Sequence, residues 1–588
     1  MKILFEEYPY DPNQLKGVLS HHFYNSVSQT SKKKKINYVG YYCRESANGT
    51  LEEPIMIFPK VFLKYDANGK NPKAFGYFKP DSIIDVLEDE KLNQLGEQSI
   101  TRPLLYEMSV WLFRAIDKYR KSCDKESISE AGSVNPVISR KDNHSLTELE
   151  IIEALRLFYE ENRNLFTFIS RMSNSQKHRI KWSQTIARKT PVFVDYKPVY
   201  FDVYSKKKTI DYDEELIRMF FSVLNHLNGK YGFGFKMNIN FDLITGSEYR
   251  KLERKGYRYL KTIRYRYFND KMLKLHELLS LYFERISRSR VGKAEEEYVL
   301  IKDFNRVFEE MIDHLIGDRA EGEIKKMKSQ PDNKQLDHIY RESGVFKKED
   351  IYFIADSKYY SDKTTVDPYS SYKQFTYARN VLALSLDLFR KGSGTDQLNY
   401  QDKLTDGYHP SPNFFISAFF DDRLKLTDTG LTKEEKDFVK RSAHWDNRLF
   451  DRDTMFTLSY RINFMFALQT FVRRNSRLKM FKKETRAKFR KEFIRFLDSR
   501  YIFYCLTPKT DFKEAIDNHF KLLLGVSFCP AEEKQELILA LEKDEANDGK
   551  EKDHRGLKAN KLKQELRHDW NITKTGLKEY ERANRGEA

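Results

Sequence analysis

The five apolar residues Ile351 to Ala355 run straight into Asp356-Ser357-Lys358. Length and composition predict a buried strand for that run. Residues two apart in a strand share a face, so Asp356 and Lys358 project side by side from its end. A carboxylate and an ammonium at the end of a buried strand are costly unless they serve a site. Upstream, DFNRVFEEMIDHLIGD (303–318) places Phe304, Val307, Phe308, Met311, Ile312 and Leu315 at helical spacing, with Asp303 as N-cap and Gly317 as stop. Glu309 lies beside that apolar stripe. LDHIY (336–340) then leads into a second strand with Asp337 at its start, and a polar connection containing Gly344 separates the two strands.

This order of parts suits one chemistry. Phosphodiester hydrolysis needs a divalent cation to neutralise the transition state and to acidify the attacking water. Mg²⁺ prefers carboxylate and water oxygens, with Mn²⁺ as its common substitute. Asp337 and Asp356 supply two ligands, the Ser357 carbonyl is a candidate third, and Glu309 is placed to lean in from the helix. Lys358 is the candidate to orient water or stabilise charge at the phosphate. An acid-x-Lys triplet alone carries little information. Asp89-Glu90-Lys91, Glu323-Ile324-Lys325 and Glu434-Glu435-Lys436 are further examples in helical or polar contexts. The Asp356 triplet differs in ending an apolar strand. SSYKQFTYARNVLALSL (370–386) reads as the following helix, with Gln374 and Tyr377 on one face as candidate DNA contacts; burial of Tyr377 is an equal alternative.

Elsewhere the chain reads as a mixed α+β protein. Residues 1–80 form a small β-rich unit, with two strands and an Ala47-Asn48-Gly49 turn within 36–63. Residues 81–290 are mostly helical, broken at 127–136 and including a helix over 146–166. Residues 291–530 form an α/β unit with helical additions. Residues 531–588 read as an exposed helix or charged tail. Lys and Arg number 104 against 87 acids, a net charge of +17 that favours a polyanionic partner. RKLERKGYRYLKTIRYRY (250–267), with Arg264 and Arg266, and the basic stretch 473–495 are the candidate phosphate-binding surfaces. Trp182, in IKWSQTI (180–186), is expected in a core, with DNA contact as the alternative. Four scattered cysteines, no secretory apolar segment and no run of bilayer length predict a soluble, cytoplasmic protein without membrane contact.

The order helix-Glu, Asp, strand-Asp-x-Lys resembles the PD-(D/E)xK nuclease superfamily. Closer still is the resemblance to McrC-like restriction subunits and, among them, LlaJI-type restriction endonucleases. It rests on VFEE (307–310), LDHIY (336–340), ADSKYY (355–360), YKQFTYA (372–378), VGYY (39–42), IMIFPKVFL (55–63) and IKWSQTI. Leu336 stands where the superfamily usually has Pro. Gln374 and Tyr377 have one intervening residue fewer than is common, which puts Tyr377 in doubt. The resemblance implies a PD-(D/E)xK α/β core and a Mg²⁺-dependent endonuclease cutting double-stranded DNA in a restriction, anti-phage system. It also implies a separate AAA+ GTPase or other NTPase partner (McrB-like). No GxxxxGK[ST] occurs in this chain, so any motor is another protein. The alternatives are a non-catalytic DNA-binding or motor-stimulating subunit and a repair nuclease acting on DNA ends.

Overall fold

A computed structural model describes residues 1–30, 32–44, 52–66, 71–80, 100–126, 137–140, 147–163, 169–173, 180–209, 214–231, 243–290, 297–328, 336–346, 350–360, 368–390, 400–421, 423, 428–433, 440–442, 448–473, 478–544, 550–551 and 559–577. The described residues form a mixed α/β architecture with several sheets.

The N-terminal sheet runs Lys2–Phe5, Ile55–Phe58, Val39–Cys43, Glu297–Ile301, Val137–Arg140. Its two expected strands pair antiparallel, Gly40 opposite Ile57; the turn expected between them lies outside the described residues. Val39–Cys43 is buried throughout, because the long helix Arg102–Glu126 covers the sheet and a second apolar cluster around Leu4, Tyr42 and Ile57 lies against it. Gly40 has a φ of +138°, and a Cβ there would meet the Val299 carbonyl at 2.2 Å, so glycine alone permits this strand approach. Glu297–Ile301 thus returns to the N-terminal sheet from the far side of the helical region.

That helical region contains Glu148–Glu161, Glu214–Tyr231, Gly246–Ile263 and Asp270–Arg290. Thr147 and Glu150 start the first with a reciprocal capping box. Gly256 lies beneath the Phe283 ring, where an added Cβ would come within 2.9 Å, which sets the close packing of the last two helices.

The second sheet carries the acidic strand. Its order is His338–Ser343, Asp350–Lys358, Asn413–Phe419, Met455–Asn463, Thr432–Lys433. The first two strands form an antiparallel hairpin; the next two pairings are parallel. Helix Pro368–Arg390 makes the crossover between the parallel strands, as a βαβ connection requires. Helix Phe304–Ile316 has the expected buried stripe and packs on the first two strands. Gly317 caps it with φ −67°, so its smallness serves another need: a Cβ would collide with the Asp313 carboxylate at 2.0 Å.

One expectation fails and a second holds only in part. The segment taken as a charged tail holds strand Leu537–Asp544, helix Ala559–Leu566 and strand Trp570–Thr575, all folded with Tyr501–Pro508. Leu562, Leu566 and Trp570 enter a compact third core; their wide spacing among charges hid it. Part of the basic stretch 473–495 also turns inward, while Arg473, Lys479, Lys483 and Lys491 stay exposed. On helix Leu478–Arg500, Arg490 donates to the Ser343 and Gly344 carbonyls, both at 2.9 Å. Arg486 donates to the Ile316 carbonyl at 2.8 Å and pairs with Asp318, while Lys482 donates to the Gly317 carbonyl. Arg486 and Lys482 satisfy the open carbonyl end of helix Phe304–Ile316, and Arg490 the carbonyls where strand His338–Ser343 ends. Among the described residues no helix is long and apolar enough to cross a membrane.

Candidate active site

The hairpin register pairs His338 with Ala355. Extended by one residue, it sets Asp337 beside Asp356. The Ser357 amide donates to Asp337 Oδ2 at 3.0 Å, which fixes that carboxylate across the hairpin. Asp356 is buried, and Lys358 Nζ lies 2.5 Å from its Oδ2. Burial, then the Asp356 and Glu309 carboxylates, push the Asp337 carboxyl well above the usual range. Burial likewise raises Glu309, with Asp356 adding repulsion. For Lys358, the attraction of Asp356 outweighs burial, and its ammonium is held above the ordinary value. The mutual repulsion of these carboxylates is what a bound cation would relieve.

Glu309 Oε1 accepts from Asn305 at 3.4 Å, and the glutamate feels Asp356 electrostatically. Among the described residues, no three His, Cys, Asp or Glu side chains are grouped to hold a metal ion. Glu309 therefore stands back from the pair formed by Asp337 and Asp356, and the expected three-carboxylate set is not assembled. Two carboxylates nonetheless suit Mg²⁺, which commonly takes one or two from the protein and keeps several waters.

A second line of side chains supports the hairpin. His338, fully buried, contacts Ser357 Oγ through Nε2 at 2.5 Å and Asp313 Oδ1 through Nδ1 at 3.4 Å. Lys328 closes the line on Asp313 at 2.5 Å. Burial lowers the His338 imidazole despite Asp313, whereas the Asp313 carboxyl is held low, against its own burial, by His338 and Lys328. Sequence reading missed this line, although His338 directly follows Asp337 and Asp313 lies on the site helix.

The other side of the strand end is braced by the N-terminal unit. Tyr359 donates to Glu6 Oε2 at 2.5 Å, and the Lys60 amide donates to the Tyr359 hydroxyl at 3.1 Å. Phe304 and Phe308 pack on the same Tyr359 ring. The residue after Lys358 is thus held by partners 353 and 299 positions away in the chain.

Gln374 and Tyr377, expected to reach DNA, are each 1 % exposed. Gln374 Nε2 donates to Asn413 Oδ1 at 2.7 Å and ties the crossover helix to the neighbouring strand. The helix faces these residues inward, leaving Tyr369, Tyr372 and Lys373 outside. Lys373, over the Tyr377 ring, is within electrostatic reach of both Asp356 and Asp337. Arg264 and Arg266 are exposed, as expected, next to Tyr265 and Phe268. Trp182 is 54 % exposed and so lies in no core.

A family model described as LlaJI restriction endonuclease matches residues 84–374, close to half of the chain and including Asp337, Asp356 and Lys358. The resemblance to LlaJI-type proteins is borne out. No curated protein matches the chain, and no solved structure does.

Proposed function

We propose that this chain, which belongs to the LlaJI restriction endonuclease family through residues 84–374, is a Mg²⁺-dependent endonuclease that hydrolyses phosphodiester bonds in double-stranded DNA. The observation that carries this reading is the pairing of Asp337 with Asp356 at one sheet end, with Lys358 Nζ 2.5 Å from Asp356. A hairpin, a helical crossover and parallel strands around such a triplet are the parts of a PD-(D/E)xK core.

Asp337 and Asp356 would hold the ion, with the Ser357 carbonyl and waters completing its shell. When bound, Mg²⁺ or Mn²⁺ supplies charge neutralisation and a more acidic water. The repulsion between the two carboxylates favours a cation at this point. Lys358, drawn to Asp356 in the free protein, is placed to turn toward the scissile phosphate. Glu309 would act from the helix on the ion's water shell. His338 holds Ser357, whose amide holds Asp337, so the His338–Asp313–Lys328 line keeps the ligand geometry fixed. Lys373, within electrostatic reach of both aspartates, would attract the phosphate backbone.

The chain would act within a restriction, anti-phage system in the cytoplasm, downstream of a separate AAA+ NTPase of the kind McrC-like subunits use. The test combines purified chain, unmodified plasmid and Mg²⁺, with and without the neighbouring NTPase and nucleotide. Cleavage is expected with Mg²⁺ or Mn²⁺ and is expected to stop with EDTA. EDTA-resistant cleavage would refute the metal claim. Rapid cleavage by the chain alone would refute only the partner claim.

A further inference from the structure

The reactive residues lie where their strand loses its partner on one side. Pairing of Asp350–Lys358 with His338–Ser343 ends at Ala355, while pairing with Asn413–Phe419 runs on to Lys358. Asp356, Ser357 and Lys358 are therefore laddered on one flank alone, and at Tyr359 the chain has left the strand. Reactive and anchored residues alternate there. Asp356 and Lys358 pair with each other, Ser357 is tied to His338, and Tyr359 is tied to the N-terminal unit.

That last anchor is a closed triangle of hydrogen bonds. The Tyr359 hydroxyl donates to Glu6 Oε2 at 2.5 Å. The Lys60 amide is shared between the same oxygen, at 3.2 Å, and the Tyr359 hydroxyl, at 3.1 Å. Glu6 directly follows strand Lys2–Phe5 and Lys60 closely follows strand Ile55–Phe58; these two strands are parallel neighbours. The Glu6 amide continues their ladder to the Phe58 carbonyl at 2.9 Å. Two adjoining strand ends thus present one acceptor and one donor to a single tyrosine. Glu6 and Lys60 lie outside the segment 84–374 that matches the family model, whereas Tyr359 lies inside it.

Bulk stability does not call for this arrangement. The surroundings are aromatic: Phe304 and Phe308 pack on the Tyr359 ring, and both lie against Phe464. Burying the Glu6 carboxyl there costs free energy that a well-packed apolar side chain would not. A buried, hydrogen-bonded network adds direction, because it admits one placement of the ring and of the chain that carries it. Catalytic groups need such placement: a shift of about 1 Å can lower a rate about a hundredfold.

We propose that Tyr359 is a positioning residue for Lys358, and that Glu6 and Lys60 of the N-terminal unit hold it in place. The proposal rests on the reading of Lys358 as the charge-stabilising group of a DNA endonuclease. It gives the N-terminal unit a part in the chemistry, since the ends of its strands fix the chain one residue beyond the lysine.

The experiment measures single-turnover cleavage of supercoiled plasmid by full-length protein with Mg²⁺, under the partner conditions that give wild-type cleavage and well below the unfolding midpoint. Tyr359→Phe keeps the ring and removes the hydroxyl. It is expected to slow cleavage about ten- to a hundredfold while duplex affinity stays within about twofold. Glu6→Ala is expected to do the same, whereas Glu6→Gln, which keeps an acceptor for the hydroxyl, is expected to stay within about threefold of the wild-type rate. Because both act through one link, Glu6→Ala combined with Tyr359→Phe is expected to be no slower than the slower single variant. Circular dichroism verifies folding, and the Glu6→Ala and Glu6→Gln comparison stands by itself if Tyr359→Phe does not fold. Tyr10→Phe is the control for stability: it removes a buried hydroxyl that accepts from the Phe5 amide at 2.7 Å in the same unit, outside the Tyr359 triangle. It is expected to lower the midpoint and leave the rate unchanged. Wild-type rates in Tyr359→Phe and Glu6→Ala would overturn the positioning role and leave the nuclease reading intact. Equal slowing by Tyr10→Phe would also overturn it, because the effect would then follow stability alone. No cleavage by wild type under any partner condition would overturn both.

Discussion

Helices Leu478–Arg500 and Gly246–Ile263 are both crowded with Lys, Arg and aromatic residues, yet they use their cations in opposite ways. On the first, Arg490 is buried and grips two carbonyls, while Arg486 and Lys482 reach the carbonyl end of the site helix. On the second, Arg250, Lys251, Arg254, Lys255, Arg258 and Lys261 lie along a helix that is largely open to solvent, and Arg264 and Arg266 continue beyond its end. A run of basic residues is therefore either an internal strut or an external surface. The deciding factor is whether open backbone carbonyls lie within reach. The first helix passes the ends of Phe304–Ile316 and His338–Ser343, both of which expose such carbonyls.

Three measurements sharpen this contrast. The largest effect is expected from Arg490→Met. It leaves the Ser343 and Gly344 carbonyls buried without their charged donor, at a cost of about 4 kcal/mol, read as a lower unfolding midpoint. An unchanged midpoint would show that Arg490 is no strut.

Glu6 is the acidic counterpart of such an inward charge. Burial, against the hydrogen bond from Tyr359 and the charge of Lys60, pushes its carboxyl up to about 7 from 4.5. The folded state thus favours the neutral form. Its stabilising contribution is present below pH 4.5 and is lost as pH rises through about 7. Glu6→Gln should remove that slope, a difference of up to about 3 kcal/mol between the two ends of the window. Parallel stability curves for wild type and variant would contradict this. The smallest effect on stability, within about 0.5 kcal/mol, is expected from Arg264→Gln with Arg266→Gln. The same pair should lower the salt slope of DNA binding by about one unit for each arginine that neutralises a phosphate. Reduced stability with unaltered DNA binding would place them with the struts.

Much of the site was legible because its parts are locally periodic. The stripe from Phe304 to Leu315 and the run Ile351–Ala355 each declare one element, and a hairpin-sized gap brings Asp337 to Asp356. The supporting line was not legible. Asp313, Lys328, His338 and Ser357 meet only through tertiary packing, and no local spacing announces it. Gln374 and Tyr377 share a helix face, but periodicity does not say whether that face meets solvent or the sheet. Trp182 misled for the opposite reason: hydrophobicity predicts burial, whereas this tryptophan opens a short helix and is exposed. The third core stayed hidden because Leu562, Leu566 and Trp570 are few among many charges.

The most direct test compares wild type with Asp356→Ala on supercoiled plasmid, under whichever partner conditions give wild-type cleavage, with Mg²⁺ present. The side chain sits at the strand end outside the hydrophobic cores, so the variant should fold and bind DNA. Cleavage is expected to fall about a thousandfold or more, with duplex affinity largely retained. Cutting by Asp356→Ala at the wild-type rate would contradict it.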